Sequence, residues 1–185
     1  DSSIASGSSY RVQQFIEGYT VDDLAWGTAN AKAMKLSFWV RSSVTGTFGG
    51  TIANGDFNRF NPFSYTISSA NTWEKKTINI AGDTSGNWNT GTSIGIRLNF
   101  SLGAGSSMIG TTGTWTTSTF EGATGQTNLI ATNSSTWYLT GVQFEEGSTA
   151  TDFEFLPHDV NLDRCYRYYF KFIAQSGNYG NFGVA

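Results

Sequence analysis

The chain has 185 residues and a net charge of −3, and only 14% of its residues are charged. This length suits one domain with a substantial core. The sequence contains no basic run that could neutralise phosphates, which argues against nucleic-acid binding. No signal peptide is visible, and no apolar stretch approaches the roughly 20 residues of a membrane-spanning helix, so we expect no membrane insertion.

Aromatic residues and glycine dominate the composition, with 14 Phe, 8 Tyr, 6 Trp and 22 Gly. Aromatic residues fit the surface of a pleated sheet, and glycine fits turns, so the composition predicts an all-β fold. The single cysteine, Cys165, excludes an internal disulfide and a cysteine-based zinc site, and we predict that it is a small buried apolar residue. Because the first residue is Asp1 rather than Met, we expect a fragment of a longer protein.

The first predicted strand covers residues 9–19, where apolar and polar side chains alternate before the apolar pair Phe15 and Ile16. Residues 20–27 then predict one short helical turn. Thr20 is the expected N-terminal cap of this turn, and Gly27 is the expected stop.

The clearest strand pattern covers residues 33–43. One face carries Leu36, Phe38 and Val40, and the opposite face carries Ser37, Trp39 and Arg41. We predict that residues 45–55 form the hairpin partner of this strand, with the turn at Asn54-Gly55.

Three further strands are predicted over residues 60–68, 73–82 and 93–103. In the first, Pro62 is compatible only with a strand start or an edge strand. Phe63, Tyr65 and Ile67 are expected to share one face of the first of these strands. The side chains expected to point inward from the other two are Ile78, Ile80, Ile94, Ile96, Leu98, Phe100 and Leu102, whereas Arg97, Asn99 and Ser101 are expected to point outward.

A long Gly/Ser/Thr-rich stretch separates residue 103 from residue 136, and we predict an ordered excursion over one end of the domain. The last strand follows, with Tyr138, Val142 and Phe144 expected to face the core. Strands at this spacing without intervening helices predict an antiparallel jelly-roll β-sandwich over residues 1–156, with one short helical turn near the N-terminus. Residues 157–185 are expected to form a connector and an incomplete C-terminal β element that begins at "YRYYFKF".

Three short patterns resemble catalytic or metal-binding motifs without the context that these require. "GTSIG" (91–95) matches the serine-hydrolase pattern, but Ser93 opens a strand instead of preceding a helix. Glu145 and Glu146 are neighbours on a strand and should point to opposite faces, so they cannot flank one glycosidic bond. "NGDFN" (54–58) has alternating oxygen ligands, but it lacks the glycine and terminal glutamate of a calcium loop, and we interpret it as a turn.

The remaining candidate chemistry lies on outward-facing polar side chains. Flat aromatic rings stack on sugars, and arginine or asparagine can hydrogen-bond to sugar hydroxyls. These side chains suggest a carbohydrate-binding face formed by Trp39, Arg41, Arg97 and Asn99. The alternative is structural: Trp39 packs beneath the excursion or against a neighbouring subunit. If their strands are adjacent, Trp39 and Arg97 could also form a cation–π pair. No cofactor and no bound metal are predicted.

Four stretches together resemble a module of bacteriophage tail fibre and receptor-binding proteins, namely residues 16–50, 70–88, 125–155 and 162–171. In that family the module ends with a G-V-Q-L-E-x-G-x-x-A-T-x-F-E phrase followed by C-x-R-Y-Y. The corresponding residues here are "GVQFEEGSTATDFE" and "CYRYY". Phe144 replaces the usual aliphatic residue, and Asp152 occupies a position often filled by proline.

The resemblance implies a jelly-roll module similar to carbohydrate-binding modules and a non-enzymatic role in the virion. It offers no catalytic residue to carry over, and sugar contacts vary within the family. The partners that we expect are a host cell-surface glycan and other virion proteins, with assembly as a homotrimer. Two other functions stay open: a purely structural decoration or connector domain without a ligand, and an enzyme acting on host polysaccharide.

Overall fold

The computed structural model describes residues 4–169 of the chain. The chain divides into two units, Asp1–Phe153 and Glu154–Ala185. The strands of the first unit are β1 (Ser9–Glu17), β2 (Met34–Ser42), β3 (Gly46–Asn54), β4 (Phe60–Ile67), β5 (Glu74–Ile80), β6 (Ile94–Ala104), β7 (Ile109–Gly110), β8 (Gly122–Ala123) and β9 (Trp137–Glu146). They comprise the predicted strands and two short strands, β7 and β8, that were not predicted.

The predicted helical turn near the N-terminus is present but begins earlier than expected. It consists of helix α1 (Gly18–Val21) and a 3-10 turn, Asp22–Leu24. Thr20 lies inside α1 and does not cap it, since the N-cap position is Glu17 and makes no side-chain cap bond. Where β1 passes into α1, the Gly18 amide donates to the Ser93 carbonyl, 2.8 Å away.

The strands form two larger antiparallel sheets and one small parallel pair. The four-stranded sheet has the order β1-β6-β3-β4, the three-stranded sheet has the order β5-β2-β9, and β7 pairs with β8. β4 is an edge strand, as Pro62 requires. The predicted hairpin between β2 and β3 is wrong: β3 pairs with β4 and β6, because residues 43–45 carry the chain from one sheet to the other.

The core lies between the two larger sheets. Leu36, Phe38 and Val40 of β2 are fully buried, as the alternation of the strand predicts. The Phe38 ring makes T-shaped contacts with Phe100 of β6 and Tyr65 of β4, each at 5.1 Å between centroids. Such aromatic pairs contribute about 0.5–1.5 kcal/mol each beyond the area that they bury. For β6 the predicted inward direction is confirmed for Ile96, Leu98 and Phe100, which belong to the core, and Leu102 packs against it, whereas Ile94 is not part of the core cluster.

The connection between β3 and β4 is a loop of residues 55–59, not a two-residue turn at Asn54-Gly55. The Asn54 side-chain oxygen accepts hydrogen bonds from the amides of Asn58 and Arg59, at 3.0 and 3.1 Å. These bonds let a longer loop close on Asn54. Phe57 adopts a left-handed backbone conformation within it, with φ of 58°.

The excursion between β6 and β9 is ordered, but it covers the outer face of the four-stranded sheet and not merely one end of the unit. The Thr127 amide donates to the Thr47 carbonyl of β3, and Thr116 exchanges backbone hydrogen bonds with Phe60 of β4. This cover explains why the outward-facing Thr51, Asn99 and Ser101 are all buried.

Strand β9 contains a bulge that the alternation of its sequence does not reveal. Three steps along β9, from Gln143 to Thr140, oppose two steps along β2, from Ser37 to Trp39. A bulge of this kind breaks the alternation, so the residues before it do not continue the pattern set by Phe144 after it. The prediction of an inward Tyr138 is therefore wrong, and Val142 is exposed as well. Of the three residues predicted to face the core, Phe144 packs against it, together with Trp137 and Leu139.

The second unit contains helix α2 (His158–Tyr166), and its Cys165 is exposed, which corrects the prediction of a buried cysteine. The predicted aromatic strand "YRYYFKF" is wrong for its first four residues: Tyr166 belongs to α2 and residues 167–169 are not in a strand, whereas residues 170–172 lie outside the described part of the chain. Neither described helix is long and apolar enough to span a bilayer.

Candidate functional site

The four residues predicted to bind carbohydrate lie on two different sheets. Trp39 and Arg41 are on β2 of the three-stranded sheet, and Arg97 and Asn99 are on β6 of the four-stranded sheet. Because the core lies between the sheets, their outer faces point in opposite directions. The four side chains therefore do not form one surface, and the cation–π pair between Trp39 and Arg97 is not formed.

Asn99 is enclosed beneath the excursion, so its amide is not available to a ligand. Its side-chain oxygen accepts from Gln13 Nε2 at 2.6 Å, and its Nδ2 donates to Glu121 at 3.2 Å. Glu121 is itself buried and forms an ion pair with Arg11, with 3.1 Å between Nη1 and Oε1. Burial raises the pKa of the Glu121 carboxyl, while the charges of Arg11 and Arg97 oppose that rise.

Arg97 is also engaged within the protein. Its Nη2 donates to the Gly55 carbonyl at 2.9 Å. Its guanidinium lies 5.0 Å from the centre of the Phe15 ring and 5.2 Å from the centre of the Phe57 ring. Arg97 thus joins β1, β6 and the β3–β4 loop, which accounts for its outward direction without a ligand.

The outer face of the three-stranded sheet is open and carries three exposed rings. Trp39, Trp73 and Tyr138 have relative exposures of 41%, 42% and 48%. We call these three residues the aromatic face. The excursion covers the other sheet, so the structural alternative in which Trp39 packs beneath it is wrong. Sequence alternation identified Trp39, but it could not add Trp73 and Tyr138, because their position depends on which strands flank β2.

Arg41 contacts one ring of the aromatic face, that of Tyr138. It is paired in register with Tyr138, and its guanidinium carbon is 5.6 Å from the centre of that ring. The ring centroids of Trp73 and Tyr138 are 6.4 Å apart. Tyr138 lies on β9 and Trp73 directly precedes β5, and these are the two strands that flank β2. A guanidinium on an aromatic ring contributes about 0.5–1 kcal/mol at exposed sites. Arg41 therefore fixes the orientation of Tyr138.

The bulge in β9 gives Trp39 its support. Gly141 has a φ of 57°, and a Cβ at this position would be 3.3 Å from Trp39 Cδ1 and 3.8 Å from Phe153 Cδ2. The Trp39 ring consequently rests on bare backbone, with Phe153 beside it. An indole held in this way presents a fixed flat surface to solvent.

Glu145 and Glu146 point in different directions, as strand alternation predicts. The Glu145 carboxylate accepts hydrogen bonds from the Thr151 amide and hydroxyl, at 2.9 and 2.7 Å. These bonds, led by that of the hydroxyl, lower the pKa of Glu145. Glu146 instead lines a groove with Phe144 and pairs with Lys32 at 3.0 Å. The two carboxylates therefore do not share a site.

The oxygen-rich segment "NGDFN" is tied to a neighbouring loop. Asp56 accepts hydrogen bonds from Asn89 at 2.8 Å and from Asn87 at 3.2 Å, and these bonds lower the pKa of its carboxyl. Within residues 4–169, no three His, Cys, Asp or Glu side chains lie close enough together to hold a metal ion. Ser93 directly precedes β6 and is not followed by a helix.

Comparison of the chain with protein-family models, with curated proteins and with solved structures identified no similar protein.

Proposed function

We propose that this chain is a non-enzymatic component of a bacteriophage fibre, tail or capsid appendage, and that its aromatic face attaches the virion to a glycan on the host surface. The sequence resemblance to phage receptor-binding modules supports the virion assignment. We assign the two packed sheets to the jelly-roll class on the same ground, and we expect assembly as a homotrimer.

The exposure of the aromatic face is the observation that carries the binding proposal. Large aromatic side chains normally bury their rings, and clustered exposed apolar surface marks an interaction site. Trp39 and Trp73 each leave about two fifths of their surface in solvent on one open sheet. Such rings can stack on the apolar faces of sugars, while neighbouring polar side chains hydrogen-bond to the sugar hydroxyls.

The neighbours of Trp39 fit this role. Lys75 of β5 and Thr140 of β9 are in register with Trp39, one on each side, and both are exposed. An ammonium group and a hydroxyl beside a stacking ring can hydrogen-bond to the equatorial groups of a sugar. In this arrangement Trp39 and Trp73 carry the sugar rings, and Arg41 holds Tyr138 in place.

The proposal is tested by measuring binding to isolated host cell surfaces or to a glycan array. We expect Trp39→Ala and Trp73→Ala each to weaken binding about tenfold, since each change removes a stacking contact. Phe15→Ala is the matched control, because Phe15 is a similarly exposed aromatic residue on the other sheet. Circular dichroism confirms that each variant is folded.

Two results would contradict the proposal. Binding that persists in the Trp39→Ala, Trp73→Ala double variant would exclude the aromatic face as the attachment surface. If the wild-type protein binds no glycan at all, the structural decoration domain becomes the better interpretation. Depolymerisation of host polysaccharide by the protein would overturn the non-enzymatic assignment.

A further inference from the structure

The aromatic face lies among basic side chains, although the chain as a whole has a net charge of −3. Lys35 and Arg41 project from β2 on the same side as Trp39, and Lys75 lies beside Trp39 on β5. The register places one carboxylate on this side of the sheet, that of Glu145 opposite Lys35. Among the strand residues of this face, three cations therefore outnumber one carboxylate.

Within the described residues, these three basic groups form no salt bridge, which is also true of Arg97 but not of the other four basic groups of the first unit. Within the described residues, the salt bridges of this unit involve the cations of Arg11, Lys32, Arg59 and Lys76. None of them involves Lys35, Arg41 or Lys75. Lys35 donates to the neutral amide oxygen of Asn79, and Arg41 lies on the Tyr138 ring. Within the described part of the chain these three cations therefore form no salt bridge, although Glu145 lies on the same face and its charge attracts Lys75.

Glu145 offsets part of this charge and attracts Lys75, although the two side chains form no salt bridge within the described residues. Both oxygens of the Glu145 carboxylate accept hydrogen bonds from Thr151, and Lys75 contributes the smallest of the effects that lower its pKa. Lys75 is exposed and sits next to the exposed Trp39 ring. An ammonium beside a stacking surface can reach an acid group on a sugar that lies on that ring.

We propose that the ligand of the aromatic face is an anionic polysaccharide whose sugars carry carboxylates. This inference rests on the proposed glycan-binding function. Trp39 and Trp73 stack on the sugar rings, Lys75 pairs with the sugar carboxylate, and Lys35 and Arg41 add to the positive potential. The complementary charge selects acidic over neutral glycans and raises the association rate.

The test is an array of bacterial surface polysaccharides, acidic and neutral, with each acidic member also printed after amidation of its carboxyl groups. We expect binding to acidic members and its loss on amidation. Lys75→Gln should weaken binding to the acidic members about two- to fivefold, the range for one exposed ion pair. Lys32→Gln makes the same charge change in a pair with Glu146 and should leave binding unchanged.

Ionic strength provides a second readout. Binding should weaken between low salt and about 0.5 M salt, because salt screens exposed charge pairs. Binding to neutral glycans, or to amidated ones equally well, would overturn this inference while leaving the proposed attachment function intact. Lys75→Gln and Lys32→Gln having equal effects would also overturn it. If no glycan of either class binds, both proposals fail.

Discussion

Glu121 shows how a single buried carboxyl can couple the stability of the fold to pH. It links the excursion to β1 through Arg11 and to β6 through Asn99. Burial raises the pKa of Glu121, so the folded state holds its proton to a higher pH than the unfolded chain does. The stabilising contribution of the protonated form is therefore complete below the ordinary glutamate pKa and is lost as pH rises through the raised value.

We expect the Glu121→Gln variant to lack this pH dependence. Relative to the variant, the wild-type protein should lose free energy of unfolding as the pH rises from 4 to 8. Urea unfolding of both proteins across this range measures the difference. Parallel stability curves for the two proteins would contradict the role given to Glu121.

Arg59 and Asp83 form a buried bidentate ion pair, with Nε and Nη2 of Arg59 at 2.7 and 2.6 Å from the two carboxylate oxygens. We expect Asp83→Ala to cost about 3 kcal/mol of unfolding free energy, because it leaves a largely buried guanidinium without its partner. Denaturant titration gives the value. Lys32→Ala, which breaks an exposed pair with Glu146, should cost less than about 1 kcal/mol. Similar losses for both variants would show that the buried Arg59–Asp83 pair contributes no more to the free energy of unfolding than an exposed pair does.

At the level of single strands, the sequence predicted the elements closely. Alternation of apolar residues identified β1 to β6 and β9 to within a few residues, because each has one face on the core. Alternation did not predict the side-chain directions along β9, for a local reason. Gly141 allows a bulge that breaks the alternation, and nothing in "YLTGVQF" distinguishes a bulge glycine from an ordinary strand residue.

Gly141→Ala tests the bulge. We expect a loss of about 1–2 kcal/mol in unfolding free energy, since alanine is strained at a φ of 57° and its Cβ would press on Trp39. Thermal or urea unfolding measures the loss. Gly7→Ala is the control: a Cβ at Gly7 meets nothing within 4 Å, so the change should be within about 0.5 kcal/mol. An equally small effect at Gly141 would mean that the bulge tolerates a side chain.

For the molecule as a whole, strand pairing was the part that the sequence could not provide. The β2–β3 hairpin was wrong because short connections also carry a chain between two sheets, and local pattern does not distinguish the two cases. The unknown strand pairing also affected the prediction of the candidate site. Trp39 was correctly placed outward, but Arg97 and Asn99 belong to the opposite sheet, and Trp73 and Tyr138 were missed.

The first unit should fold without the second. The residues of the described core cluster all precede Phe153. We expect a chain of residues 1–156 to melt cooperatively within about 3 °C of the full chain, which corresponds to less than about 1 kcal/mol. Scanning calorimetry of both chains provides the comparison. A drop of more than about 10 °C would show that residues 157–185 contribute to the stability of the first unit.

The six tryptophans fall into optically distinct groups. Trp26, Trp88 and Trp115 pack edge to face at 4.6–5.3 Å, and Trp137 donates to the Tyr65 hydroxyl, whereas Trp39 and Trp73 face solvent. Soluble quenchers should reach the emission of the exposed pair first. A ligand on the aromatic face would shield that pair and leave the packed trio unchanged, so intrinsic fluorescence reports occupancy and unfolding as separate signals.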